Sequence, residues 1–413
     1  MNNTSLENID TRSDVSVWKN KNYVILLLTG IFITFGSKVY ELAIPLIIYE
    51  LTKSSVSMGL MSAIEFLPNM IFAVFIGAFI DYIHNKKAFI TFTVLLQSLI
   101  LFALFILMKT EYFTLPYMYI FAFILMTLNY GYYNARFVII KQTLPPSLYM
   151  KSTASFTFIT MLVTVVSPAL TGFILTFSDV KNSLIIVAIT LLISTLLTLL
   201  LETYQEPTST ANKKNFLFSD IKFAWDEFKK IRVLWTLTWF VVFTNASYGM
   251  FNAMIIFFSK ESLNLGSSEI GILLSSLGLG GVFGTMVLGR LRSWIGLGKT
   301  IGICIAITGI TYVSLFIISN FYLLCTSLFL VGIFATAFSV CIHTYRQEVT
   351  PVDIIGRVVG ITGSIFKLAM PLCIFGAGWM ANLVSVEVVF LICGIGNLLL
   401  FLIFLFTPIW KEI

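Results

Sequence analysis

A chain of 413 residues that is 58% hydrophobic and 11% charged is too apolar for a soluble globular protein. Its formal net charge of +6 does not point to nucleic acid, because the basic residues gather in alternate loops, the topology signal of a membrane protein. Two histidines, His84 and His343, and five cysteines without metal-ligand spacing give no basis for a metal site.

The polar segment 1–21 reads as a cytoplasmic tail. The apolar run after it is longer than a signal core and has no small-residue cleavage site. Twelve apolar segments follow, at 22–49, 57–80, 88–108, 115–140, 152–177, 183–202, 233–258, 268–289, 300–318, 321–343, 357–383 and 386–407. A bilayer core needs about 20 apolar residues per crossing, and open strand edges cannot face lipid. The expected fold is therefore an all-α polytopic membrane protein of twelve transmembrane helices. Six helices form a bundle over 22–202 and six over 233–407, with a cytoplasmic linker at 203–232 and a tail at 408–413. In the linker, Phe218, Ile221, Trp225 and Phe228 recur at helical spacing with Lys222, Asp226, Lys229 and Lys230 between them. That pattern fits either a helix lying in the membrane interface or a plain tether.

Basic residues set the orientation. Arg12, Lys19, Lys86, Lys87, Lys151, Lys213, Lys229, Arg290 and Lys299 fall on one side, and Lys53, Lys109, Lys181 and Lys260 on the other. The basic-rich side faces the cytoplasm, so both termini are expected inside a multi-pass protein of the cell membrane.

Three ionisable residues interrupt the first two helices: Lys38, Glu41 and Glu65. Such groups at membrane depth are costly and mark transport or proton paths. Lys38 and Glu41 share a helix face, and Pro45 removes the usual partner of the Glu41 carbonyl. The pair reads as a polar site or as a self-neutralised pair in a wet cavity. Glu65 lies at a similar depth, as a proton carrier or as a hydrogen-bonding group between helices. Lys367, four residues before Pro371, again has its carbonyl freed. No Gly-x-x-x-x-Gly-Lys-Ser/Thr loop is present and no nucleophile has a matching base, so neither ATP, a cofactor nor enzyme chemistry is expected.

The two halves echo each other. Gly77, Asp81 and Lys86 follow the second helix, and Gly289, Ser293, Gly296 and Lys299 follow the eighth. Parallel repeats of this kind are typical of secondary transporters. With this loop the chain resembles the major facilitator superfamily, whose signature there is Gly-x-x-x-Asp-Arg-x-Gly-Arg-Lys. Tyr82, His84 and Asn85 depart from it. Gly36-Ser37, Leu67-Pro68, Tyr133-Asn134-Ala135 and Gly356-Arg357-Val358 resemble the macrolide-efflux and siderophore-exporter branch. Ser167-Pro168-Ala-Leu-Thr171-Gly172 is similar to the Gly-Pro element of drug antiporters, with two glycines replaced.

The resemblance implies a cavity lined by helices 1, 4, 7 and 10. These helices bring Asn129, Tyr130, Tyr133, Asn245, Tyr248, Asn252, Thr336 and Ser339 as substrate-cavity residues. It implies a cytoplasmic gate in which Asp81, with Lys86 and Arg136, meets the start of helix 11 at Asp353 and Arg357. It also places Lys367 opposite Glu65 in one access state. The function expected is proton-coupled efflux of an amphipathic small molecule by a monomer in membrane lipid. An importer, or a receptor or assembly factor that moves nothing, are the alternatives.

Overall fold

A computed structural model describes residues 17–411 except 73–75, 77–78, 81–82, 145, 203–224, 227, 319 and 352–354. The described residues are helical with short connections. The long helices are α1 (Lys21–Thr52), α2 (Ser55–Phe72), α3 (Lys86–Leu107), α4 (Leu115–Thr143), α5 (Pro146–Ile174), α6 (Ser183–Leu199), α7 (Arg232–Glu261), α8 (Ser267–Ile295), α9 (Leu297–Ser314), α10 (Phe321–Val349), α11 (Ile355–Ile365), α12 (Met370–Leu383) and α13 (Val386–Leu405). Eleven spans among them are long and apolar enough to cross a membrane. The twelfth, α4, has 29 residues, so length is not what separates it. It carries Asn129, Tyr130, Tyr132, Tyr133, Asn134 and Arg136, which lower its mean hydropathy.

The eleventh crossing is interrupted. Residues 366–369 leave helical geometry between α11 and α12. Pro371 has no N–H to bond the Lys367 carbonyl, but that carbonyl is not left free as the sequence suggested. It accepts from the Met370 N–H at 3.1 Å, a tighter bond that turns the chain.

Five helix pairings build the first half: α1 with α5, α1 with α6, α2 with α4, α3 with α4 and α3 with α6. The second half repeats them as α7 with α12, α7 with α13, α8 with α10, α9 with α10 and α9 with α13. The weak sequence echo is thus a repeat of packing. Chain ends and alternate connections share one face. There Asn20 caps α1 by accepting from the Tyr23 N–H at 2.9 Å, and its amide donates to the Thr143 carbonyl at the end of α4. On the same face Lys21 pairs with Glu202 after α6, and this ammonium holds the exposed Glu202 carboxyl below its ordinary range.

Of the linker, 203–224 lies outside the described residues, and with it Phe218, Ile221 and Lys222. Phe228 is fully buried against Leu234 and Val358, and Trp225 stacks edge-on to Trp235. These two side chains pack on the second half.

The halves close on each other at the face opposite the termini. The Tyr49 hydroxyl donates to Glu261 Oε2 at 2.6 Å, and Ser55 Oγ donates to the Gly378 carbonyl at 2.9 Å. Backbones touch where α2 meets α12 and where α5 meets α8. A Cβ on Gly378 would stand 2.6 Å from the Ser55 carbonyl, and one on Gly172 would stand 2.5 Å from the Ser267 carbonyl. Gly172 is the glycine retained from the antiporter-like element, and Ser167 and Thr171, at its two replaced glycines, are buried. Small residues permit this approach, which in lipid is driven by packing rather than by hydrophobic exclusion.

Gly378→Val forces a side chain into that seam, and overpacking of this kind costs about 1–3 kcal/mol. Melting in detergent should fall for Gly378→Val and stay unchanged for Gly376→Ala, since nothing lies within 4 Å of a Cβ there. Equal melting temperatures for the two would show that the seam yields freely.

Candidate functional site

Helix α1 brings charge into the middle of the molecule. Lys38 Nζ pairs with Glu41 Oε2 one turn on. The Glu41 side chain is 60% exposed although it sits mid-helix, so it faces an open space rather than packed neighbours. Tyr133 of α4 and Tyr248 of α7 lie close enough to interact electrostatically with Lys38. The pair therefore stands where α1, α4 and α7 converge, at the junction of the halves.

Tyr40, the next residue, turns to the other side of α1 and is buried. It faces Glu65 of α2, close enough for the two groups to interact electrostatically. Oε1 of that carboxylate is buried and has no hydrogen-bond partner among the described residues. Glu41 lies within electrostatic range of Glu65. The two carboxylates are thus neighbours of opposite character, one exposed and ion-paired and the other enclosed beside a phenol.

Lys367 does not meet Glu65 here. Its ammonium donates to Asn69 Oδ1 at 2.9 Å, four residues along the same helix. Asn69 and Glu65 share one face of α2, so the expected helix is reached but at the next turn. The break at 366–369 sets the register from which the lysine stem extends. This contact joins the halves deep inside the molecule, about 21 Å along α2 from Ser55 at 1.5 Å per residue.

Arg136 also departs from expectation. It was expected at the surface beside the loop aspartate, yet it is 4% exposed. Its guanidinium lies 3.6 Å from the centre of the Phe156 ring, in a slot opened by Gly30, whose absent side chain leaves room for Phe156 and the Arg136 Nη1. Its Nε and Nη1 have no hydrogen-bond partner among the described residues. Aromatic faces attract a cation and so draw it inward. Asp81 and Asp353 lie outside the described residues, as does the side chain of Arg357. Lys86 is half-buried and donates to the Ile83 carbonyl at 3.3 Å.

The polar residues expected to line the cavity are divided. Asn129, Tyr130 and Tyr133 are half-buried on α4. Asn245, Tyr248, Thr336 and Ser339 line one cavity of about 370 Å³ in the second half, together with Tyr312, His343 and Asn397. Asn252 is not among its lining residues; it lies one turn from Tyr248 on α7. Tyr40, Asn69, Tyr312, His343 and Asn397 were not identified from sequence. Tyr40 and Asn69 are one residue before Glu41 and four after Glu65, but nothing local marks them as partners.

The Lys367–Asn69 contact can be dissected by a double-mutant cycle. Asn69→Leu strands a half-buried ammonium and Lys367→Met strands a half-buried amide; hydrogen bonds to charged groups contribute about 1.5–3 kcal/mol. In detergent melts the double variant should lose less than the sum of the single losses, with Asn69→Leu the more damaging single change. Additive losses would mean that the two side chains do not meet.

The model of the Major Facilitator Superfamily matches residues 26–296 and 244–409. No curated protein matches the chain. Among solved structures, the nucleoside transporter NupG is similar at TM-score 0.74 and 14% identity, over 95% of this chain and 99% of that one. A bacterial homologue of the iron transporter ferroportin in the inward-facing state is similar at TM-score 0.73 and 14% identity, over 95% and 100%. A bacterial homologue of the human lysosomal transporter Spinster, inward-facing and unoccupied, gives TM-score 0.69 and 16% identity, over 94% and 99%. At these identities the likeness is one of fold. The family model covers nearly the whole described length, and the chain belongs to the Major Facilitator Superfamily.

Proposed function

We propose that this transporter exports amphipathic small molecules across the cell membrane in exchange for protons, as a monomer with both termini in the cytoplasm. The bundles at 22–202 and 233–407 rock about the central site. The observation that carries this reading is the pair of neighbouring carboxylates on α1 and α2. Glu65 is enclosed, with one oxygen unpartnered, and Glu41 is exposed to the interior beside Lys38. Enclosed carboxylates with access to a wet interior suit a proton relay.

The distal seal favours alternating access. Tyr49–Glu261 and Ser55–Gly378 close one face, while Glu41 remains wetted. On this reading the space beside Glu41 opens to the face of the termini, as in an inward-open state; two of the similar structures were solved facing inward. Under this reading Lys367 and Asn69 mark the moving contact between halves. Asp81, Lys86, Arg136, Asp353 and Arg357 belong to the gate at the termini. Resemblance of the motifs around Gly36, Tyr133 and Gly356 favours a macrolide-like drug or a siderophore as cargo. An importer that moves proton and cargo in the same direction uses the same site and differs only in the sign of accumulation.

Accumulation of a fluorescent amphipathic drug in cells with and without the protein tests the reading. Glu41→Gln and Glu65→Gln should each reduce gradient-driven movement severely while leaving expression normal. A protonophore should reduce wild-type movement to the variants' level. Full activity in the double variant would remove both carboxylates from coupling, and raised rather than lowered drug content would reverse the direction.

A further inference from the structure

The loop after α8 repeats the spacing of the loop after α2 but not its charge. Ser293 stands four residues after Gly289, where Asp81 stands four after Gly77. The Ser293 hydroxyl turns onto its own helix and donates to the Arg290 carbonyl at 2.8 Å. From Arg290 to Lys299 the chain carries three cations, Arg290, Arg292 and Lys299, and no carboxylate. Arg292 pairs with Glu348 of α10 at 2.7 Å. Arg290 and Lys299 are exposed and have no ion pair among the described residues.

Glycines set the rotation of α8. Gly271 and Gly278 lie against the α5 backbone at Pro168 and Thr164, and Gly280 and Gly284 against the α10 backbone at Phe329 and Ile333. Gly281 turns inward onto Thr336, a residue of the cavity wall. At 3.6 residues per turn, the outward face between the two glycine edges carries Leu279, Phe283, Met286, Arg290 and Trp294. All five are exposed, Met286 at 70% and Trp294 at 81%. Leu279 to Arg290 spans about 17 Å at 1.5 Å per residue, close to one leaflet of a hydrocarbon core about 30 Å thick. The stripe is apolar within the span and ends, at the face of the termini, on a guanidinium and an indole.

Charge selects what covers this face. A second copy of the chain would meet it across a two-fold axis, which sets like patch on like patch and Arg290 against Arg290. A zwitterionic lipid brings no net negative charge to the two free cations. An anionic phospholipid suits the whole stripe. Its acyl chain lies on Leu279, Phe283 and Met286, its phosphate accepts charge-assisted hydrogen bonds from Arg290 and Lys299, and the Trp294 ring sits at headgroup level, where indoles gather. The basic-rich face is also the one expected at the cytoplasmic leaflet, where anionic lipid is concentrated.

We propose that the end of α8 binds one anionic phospholipid, with Arg290 and Lys299 holding its phosphate and Trp294 packed beside its glycerol. The second loop of the repeat, with Ser293 in place of an aspartate, anchors its half to the membrane surface.

Native mass spectrometry of the purified full-length protein, delipidated in detergent and titrated with phosphatidylglycerol or phosphatidylcholine, tests it. One phosphatidylglycerol should bind at least about tenfold more tightly than phosphatidylcholine. A cation at an anionic lipid surface contributes about fivefold. Arg290→Gln and Lys299→Gln should therefore each weaken phosphatidylglycerol about fivefold, and together about 25-fold, with phosphatidylcholine unchanged. Met286→Asn should weaken both lipids. Both cations are exposed, so the double variant should melt with wild type in lipid-free detergent. Lys19→Gln is the control: it removes an exposed cation beside the exposed Trp18 on the same face and should leave phosphatidylglycerol binding intact. Equal binding of the two lipids, unchanged affinity or a lower melting temperature in the double variant, or an equal loss in Lys19→Gln would each overturn the proposal. So would displacement of the lipid by inorganic phosphate, or a dimer in place of the lipid adduct.

Discussion

Every charge carried into the interior must find its partner within the chain, because lipid supplies none. That constraint decides which helices meet at the centre. Lys38 meets it within its own helix through Glu41. Glu65 is set against the Tyr40 phenol of α1. Lys367 needs the other half and takes Asn69. Arg136 is met by aromatic faces, which attract a cation without neutralising it. Two of these solutions leave unpartnered atoms, on Glu65 and on Arg136. Incomplete satisfaction of a buried group is uncommon and marks strain or a functional site.

The seam between the halves serves the same end by other means. Near the distal face, glycines bring backbones together and two side-chain hydrogen bonds close the gap. Near the middle, the contact is a long lysine stem ending on an amide. A backbone seam is rigid, whereas a lysine stem changes partner at little cost in contact area. The break before Pro371 gives the eleventh crossing a joint at the residue that makes the central contact.

Packing is repeated between the halves, but chemistry is not. The five pairings of the first bundle recur in the second, yet the first carries the buried carboxylate and the ion pair, and the second lines a half-open cavity with uncharged groups. Repeats preserve backbone contacts because small residues and interhelical spacing constrain them. Side chains facing the interior are free to diverge once the scaffold stands.

Composition and spacing made the all-helical membrane fold legible, since lipid tests each stretch of about 20 residues separately and a local window suffices. The same local rule placed Lys38 beside Glu41, three residues apart on one face. It also marked Glu65 and Lys367 as unusual, because charge among apolar residues is visible without coordinates. What these groups touch was not legible. Asn69 rather than Glu65 receives Lys367, a difference of one helical turn that depends on how α2 and the broken eleventh crossing slide past each other. Arg136 turns inward because Gly30 and Phe156, on two other helices, open a slot for it. Tyr312, His343 and Asn397 come together only when α9, α10 and α13 line one space. Sequence fixes which groups a helix carries and on which face. The depth and rotation of one helix against another are set by the packing of many side chains at once, and these decide the partners.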